Sequence, residues 1–77
     1  MVQKLKGILS AIFEVKEEDI NDSSSMENIE KWDSLKHLEL ITAIEEYFSV
    51  TLSIEEIIVM TNFEVIKSTL RGRGVEL

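Results

Sequence analysis

The chain has no proline, and its three glycines stand at positions 7, 72 and 74. Between Gly7 and Gly72 nothing in the backbone chemistry forces a break, so a helical reading leads a β reading from the outset. Periodicity agrees. Leu5, Ile8, Leu9, Ile12 and Phe13 recur at i, i+3, i+4, i+7 and i+8, the stripe of one amphipathic face, and predict a first helix over about residues 3 to 15. Residues 16 to 32 lose the period and are rich in turn formers. Ser24 and Glu27 stand at capping-box spacing and offer one short helical turn there, while Ile20, Met26, Ile29 and Trp32 are apolar pins. A loop this long in a small domain is either functional or pinned down.

A second helix is predicted from about Ser34 to Phe48. Leu40, Ile41, Ile44, Tyr47 and Phe48 share one side with Leu38 at its flank, and Lys36, Glu39, Ala43 and Glu46 take the opposite side. Ser53 and Glu56 then form a capping box with Leu52 and Ile57 as its hydrophobic staple. Thr61 and Glu64 repeat the device with Met60 and Val65. Two such starts in close succession predict a short third helix, about 54 to 60, and a fourth, about 62 to 71, stopped by Gly72 and Gly74. The expected fold is all-α: a small antiparallel four-helix bundle with a short third helix and a long loop between helices one and two. A single domain is expected over residues 1–77. Its core is expected to hold Leu5, Ile8, Leu9, Ile12, Phe13, Ile41, Ile44, Phe48, Phe63 and Ile66.

Composition then narrows the function. Fifteen acidic against eight basic residues give a formal net charge of −7, which phosphate backbones and anionic membrane surfaces repel, so nucleic acid is not an expected partner. The chain has no cysteine, hence no thiolate metal site, no disulfide and no protein thiol for chemistry. No apolar run approaches the roughly 18 residues of a membrane span, and Met1 to Lys4 lack the apolar core of a signal peptide, so a cytoplasmic monomer without membrane insertion is expected. With 77 residues the body can hardly enclose an enzyme pocket, and no catalytic role is expected.

The second helix starts unlike the two that follow it. With Asp33 or Ser34 as cap, the third helical residue is Lys36 or His37, and neither completes a box. A hydroxyl at a helix start, preceded by a carboxylate, lies where orphan amides and the macrodipole favour incoming negative charge. That suits a serine destined to become a phosphodiester. It also suits an ordinary cap contributing about 1 kcal/mol. The residues alone leave both readings open.

Asp33, Ser34 and Leu35 resemble the Asp-Ser-Leu signature of acyl carrier proteins. The likeness extends through Leu38, Glu39 and Leu40, through Ala43, Ile44, Glu45, Glu46 and Phe48, and on to Leu52, Glu55, Glu56, Thr61 and Phe63 at similar spacing. The resemblance implies that Ser34 carries 4′-phosphopantetheine, delivered from coenzyme A by a phosphopantetheinyl transferase, and that the arm holds acyl intermediates as thioesters. Asp33 and Leu35 would flank the attachment. It further implies acyl-loading and acyl-using partner enzymes of fatty-acid, polyketide or surface-polysaccharide type, whose basic surfaces would meet Glu39, Glu45, Glu46, Glu55 and Glu56. Cargo would slide between the second and third helices, lined by Leu38, Ile44, Ile54, Ile57 and Met60. Those residues are equally a plain packed core, each contributing about 1.5–3 kcal/mol by burial.

Lys36 departs from the resemblance, since that position is often acidic or small, and it lies within i, i+3 reach of Glu39. The run from Ile57 to Met60 is more apolar than a short helix needs, so Ile58 or Val59 must face outward and offer a partner contact. Trp32 resembles specialised, stand-alone carriers. Three other readings compete. Asp33, Ser34 and His37 suggest a hydrolase, but nothing orients His37 and no oxyanion pocket is apparent, so a half-buried structural histidine is expected. Asp19, Asn21, Ser23, Ser25, Glu27 and Glu30 mimic a calcium loop, but Ser24 stands where the sharp turn needs glycine, and no metal site is expected. Finally, an acidic interaction module, or a carrier of an amino acid rather than an acyl chain, would share the same surface.

Overall fold

The computed structural model describes residues 2–77 and contains four α-helices: α1 (Val2–Phe13), α2 (Ser34–Phe48), α3 (Ile54–Val59) and α4 (Phe63–Gly72). The expected all-α class holds. α1 packs against α2, and Leu5, Leu9 and Phe13 from α1 meet Leu40, Ile41 and Ile44 from α2 and Phe63, Ile66 and Leu70 from α4 in one core. Ile8, Ile12 and Phe48, expected inside, are half-buried at its margin. Tyr47 is a correction: it lies on the surface, its ring edge-on to Phe48 at 4.9 Å between centroids.

α1 stops two residues earlier than periodicity predicts. Glu14 turns left-handed at φ 57°, and the Val15 N–H reaches back to the Ser10 carbonyl at 3.3 Å. α2 ends the same way, with Ser49 at φ 56° and Val50 N–H on the Glu45 carbonyl at 3.2 Å. After α4, Gly74 at φ 86° lets Val75 N–H bond the Leu70 carbonyl at 3.0 Å. All three are Schellman closures, which satisfy helix-end carbonyls at the cost of one left-handed residue.

The long loop is not structureless. It holds a one-turn 3-10 helix, Glu17–Asp19, and an isolated antiparallel bridge between Ser25 and Asn62. Ile20, Ile29 and Trp32 are buried pins, and Met26 is half-buried. The Met26 N–H donates to the Thr61 carbonyl at 3.0 Å and the Phe63 N–H to the Ser24 carbonyl at 2.9 Å, fastening the loop to the start of α4. This pairing overturns two capping assignments. Ser24 does not cap a turn; its hydroxyl is buried and accepts the Asn21 N–H, and it is Ser25 that accepts the Glu27 N–H. Thr61 is likewise taken by the bridge, and α4 is capped by Asn62, whose side chain accepts the Val65 N–H at 2.8 Å. The Ser53 and Glu56 box of α3 forms as expected.

Candidate functional site

Trp32 anchors the chain where it enters α2. Its ring is buried, stacked on Phe13 with centroids 4.7 Å apart, so the next residue emerges from a fixed point. Asp33 is the cap: its carboxylate accepts the Lys36 N–H at 2.8 Å, and its backbone is extended. Ser34 is therefore the first residue of the helix, not its cap. Its side chain is exposed and its hydroxyl makes no hydrogen bond among the described residues. A hydroxyl in that position is free to react, and the unpaired amides of the first turn beside it favour a negative group.

His37 lies one turn further on and is buried. Indole nitrogen can only donate, so the Trp32 Nε1–H bond of 3.0 Å makes His37 Nδ1 the acceptor. The ring proton then sits on Nε2, which donates to the Ile57 carbonyl at 2.8 Å. Both ring nitrogens are committed to structure, and neither is offered to Ser34. The arrangement ties the loop, α2 and α3 together through one imidazole.

The remaining residues singled out from sequence fall into two groups. Leu35, Glu39 and Glu46 are exposed on the face of α2 turned away from the core, with Leu38 beside them, and Lys36 is half-buried with its ammonium 3.3 Å from Glu39. A shallow depression there is lined by Leu35, Leu38, Glu39, Thr42, Ala43 and Glu46. On α3, Ile54, Glu55 and Ile58 are exposed, and Val59 joins them. Two glutamates instead hold the fold. Glu45 is half-buried, and its carboxylate accepts the Leu52 N–H at 2.8 Å. Glu56 accepts the Ser53 N–H at 2.8 Å and both Nε and a terminal nitrogen of Arg73, which together hold its carboxyl down at about 2. Of the five residues expected to line a cargo, Ile44 and Met60 are fully buried and Ile57 is half-buried, while Leu38 and Ile54 are 58% and 72% exposed. The structure as it stands does not bring the five together.

Residues that the sequence reading did not connect also matter here. Arg73 carried no motif, and its bond to Glu56 joins positions seventeen apart. Among the described residues no three His, Cys, Asp or Glu side chains converge on a metal position. In the calcium-like stretch, Asn21 spends its side-chain oxygen on the Ser23 N–H, an Asx turn.

Residues 3–70 match the family model described as phosphopantetheine attachment site, and the chain belongs to that family. Its carrier domains hold covalently attached 4′-phosphopantetheine and are not themselves catalysts; they meet a phosphopantetheinyl transferase and the enzymes that use the arm. No curated protein matches the chain.

Proposed function

We propose that residues 1–77 form a single carrier domain on which Ser34 bears the phosphopantetheine arm, and that the cargo is an acyl group held as a thioester. The observation that carries the site is the exposed, unbonded hydroxyl at the first position of α2, delivered there by the Asp33 cap and the buried Trp32. Of the other serines, Ser10, Ser24, Ser25 and Ser53 have hydroxyls spent on backbone hydrogen bonds, Ser49 is held left-handed at a helix end, and the exposed Ser23 and Ser68 lie in the loop and within α4, neither at a helix start behind a carboxylate cap. In the loading step the Ser34 oxygen forms a bond to the phosphorus nearest the pantetheine. The diphosphate bond of coenzyme A breaks, adenosine 3′,5′-bisphosphate leaves, and the serine proton passes to a base on the transferase. The arm supplies the thiol that this cysteine-free chain lacks.

An apolar cargo fits the surface better than a polar one. Leu35 and Leu38 are exposed on α2, and Ile54, Ile58 and Val59 on α3, which His37 joins to α2 one turn beyond Ser34. A chain lined by Leu38, Ile44, Ile54, Ile57 and Met60 would need α3 to swing away from α2, because two of the five are outside and two are fully inside. Docking is assigned to Glu39, Glu46 and Glu55 together with Ile58, with Lys36 neutralising part of the field through Glu39. Glu45 and Glu56 serve docking less, being committed to Leu52, Ser53 and Arg73. The test is intact-mass measurement after incubation with coenzyme A, magnesium and a phosphopantetheinyl transferase. Gain of one phosphopantetheine supports the reading, and no gain with several transferases contradicts it.

A further inference from the structure

α3 buries none of its six residues, and the polar ties that hold it are few and identifiable. One comes from α2, the His37 Nε2–H on the Ile57 carbonyl at 2.8 Å. A second comes from beyond α4, where Arg73 grips the Glu56 carboxylate through Nε at 2.8 Å and through a terminal nitrogen. This is a two-point fork, the geometry in which a guanidinium holds a carboxylate best. The same carboxylate closes the capping box on the Ser53 N–H, so one side chain both starts α3 and ties it down. Arg73 is itself well placed. The Gly74 turn and the Val75 bond to Leu70 fold the tail back, and Val75 and Leu77 pack against the core. From α3 itself, Ile57 is half-buried against the core, and Met60, its C-terminal cap, is fully buried in it.

We propose that Arg73 is a latch: through Glu56 it holds α3 against the bundle, and its release lets α3 open as a unit, so that the C-terminal tail sets how readily a tethered apolar chain reaches the core. The inference rests on the carrier reading for its purpose, but the latch itself is a property of the unmodified chain. α3 leans on side-chain ties because it has no fully buried residue, only the half-buried Ile57 against the core, whereas α1, α2 and α4 each bury three or more residues. Opening α3 as a unit breaks the His37 bond, the Arg73 fork and the packing of Ile57 and Met60 while the other three helices keep their core, which is how a locally unstable unit is built. A guest that needs the open form binds more tightly as that form becomes more populated.

The experiment is native-state hydrogen exchange on the full, unmodified chain, comparing wild type with Arg73→Gln, Arg73→Lys and Lys67→Gln. The last breaks the pair of the largely covered Lys67 with the exposed Asp22, in which no α3 residue takes part. In Arg73→Gln the α3 amides of Ile57 and Met60 should exchange about threefold faster, the scale of an exposed ion pair, with α1 and α2 amides unchanged. Arg73→Lys should recover part of the protection and Lys67→Gln should not disturb α3. Unchanged α3 exchange in Arg73→Gln, or an equal rise across all helices, overturns the latch. A second arm reads the purpose: the rise in Tm on loading an octanoyl thioester should be larger in Arg73→Gln than in wild type, and an equal rise overturns control of cargo by the tail. Failure of the wild type to gain phosphopantetheine mass would instead strike the carrier reading and leave the exchange result standing.

Discussion

α2 buries His37, Leu40, Ile41 and Ile44 beneath its fifteen residues, whereas α3 buries none of its six. The two meet where His37, one turn beyond Ser34, bonds the Ile57 carbonyl, yet they are held in different ways. α2 is fixed by apolar packing against α1 and by the Trp32 anchor, so its first turn, and the Ser34 hydroxyl on it, is presented from a rigid platform. α3 is fixed by a capping box, one imidazole and one guanidinium. Packing costs several kcal/mol to undo at a single site, while exposed polar ties cost far less. On the proposed function, that division would keep Ser34 in place while α3 adapts to what the arm carries.

The contrast is broken most severely by Leu9→Ala. Leu9 is fully buried in the framework, and its truncation should cost about 2–5 kcal/mol in chemical denaturation, against a change within about 0.5 kcal/mol for Ile58→Ala on α3. Equal losses would mean that the two helices are held alike. Trp32→Phe sharpens it next. The ring stack on Phe13 survives, but the buried His37 Nδ1 loses its donor, at a cost of about 1–3 kcal/mol measured by the same denaturation.

How much of this was legible follows from where each signal lies in the chain. Periodicity placed α2 over 34–48, because its apolar spacing and its cap lie within the segment itself. The three helix ends share one closure, but only the one at Gly74 carries a glycine to announce it. Glu14 and Ser49 take the same left-handed conformation without any compositional signal, which is why α1 was read two residues too long. Ser24 and Thr61 misled for a different reason. Each stands at capping-box spacing, but a bridge between loop and α4, from residues far apart in sequence, claims the local backbone first. At the site, a helix start at Asp33 or Ser34 was legible, since capping is local, but which of the two caps it was not, and the structure gives that role to Asp33. The His37 bond to Ile57 and the Arg73 grip on Glu56 were not, because they join positions twenty and seventeen apart with no periodicity between them.

Ser49→Gly tests that account of helix ends. Relief of the left-handed strain should raise stability by about 1 kcal/mol in thermal or chemical unfolding, and no gain would show that the Ser49 side chain offsets the strain in some other way. The smallest expected effect is in acid. Glu56 has a folded pKa of about 2, below its ordinary value of 4.5, with the Arg73 hydrogen bond as the largest cause. A depressed carboxyl contributes stability that is fully present above the unfolded value and is lost as pH falls from about 4.5 through about 2. Amide signals of α3 should therefore weaken over that window while those of α2 persist, and Arg73→Gln should flatten the dependence. Simultaneous loss in both helices would contradict the separation between platform and flap.

The central claim is that the first residue of α2 is the attachment point. Fragmentation mass spectrometry of the transferase-treated chain, beside Ser34→Ala, tests it most directly. Because Asp33 supplies the cap, Ser34→Ala should stay folded with stability within about 0.5 kcal/mol of wild type. The account predicts a single phosphopantetheine on Ser34 in the wild type and none on the folded Ser34→Ala chain. An adduct on any other serine, or undiminished labelling of Ser34→Ala, would contradict it.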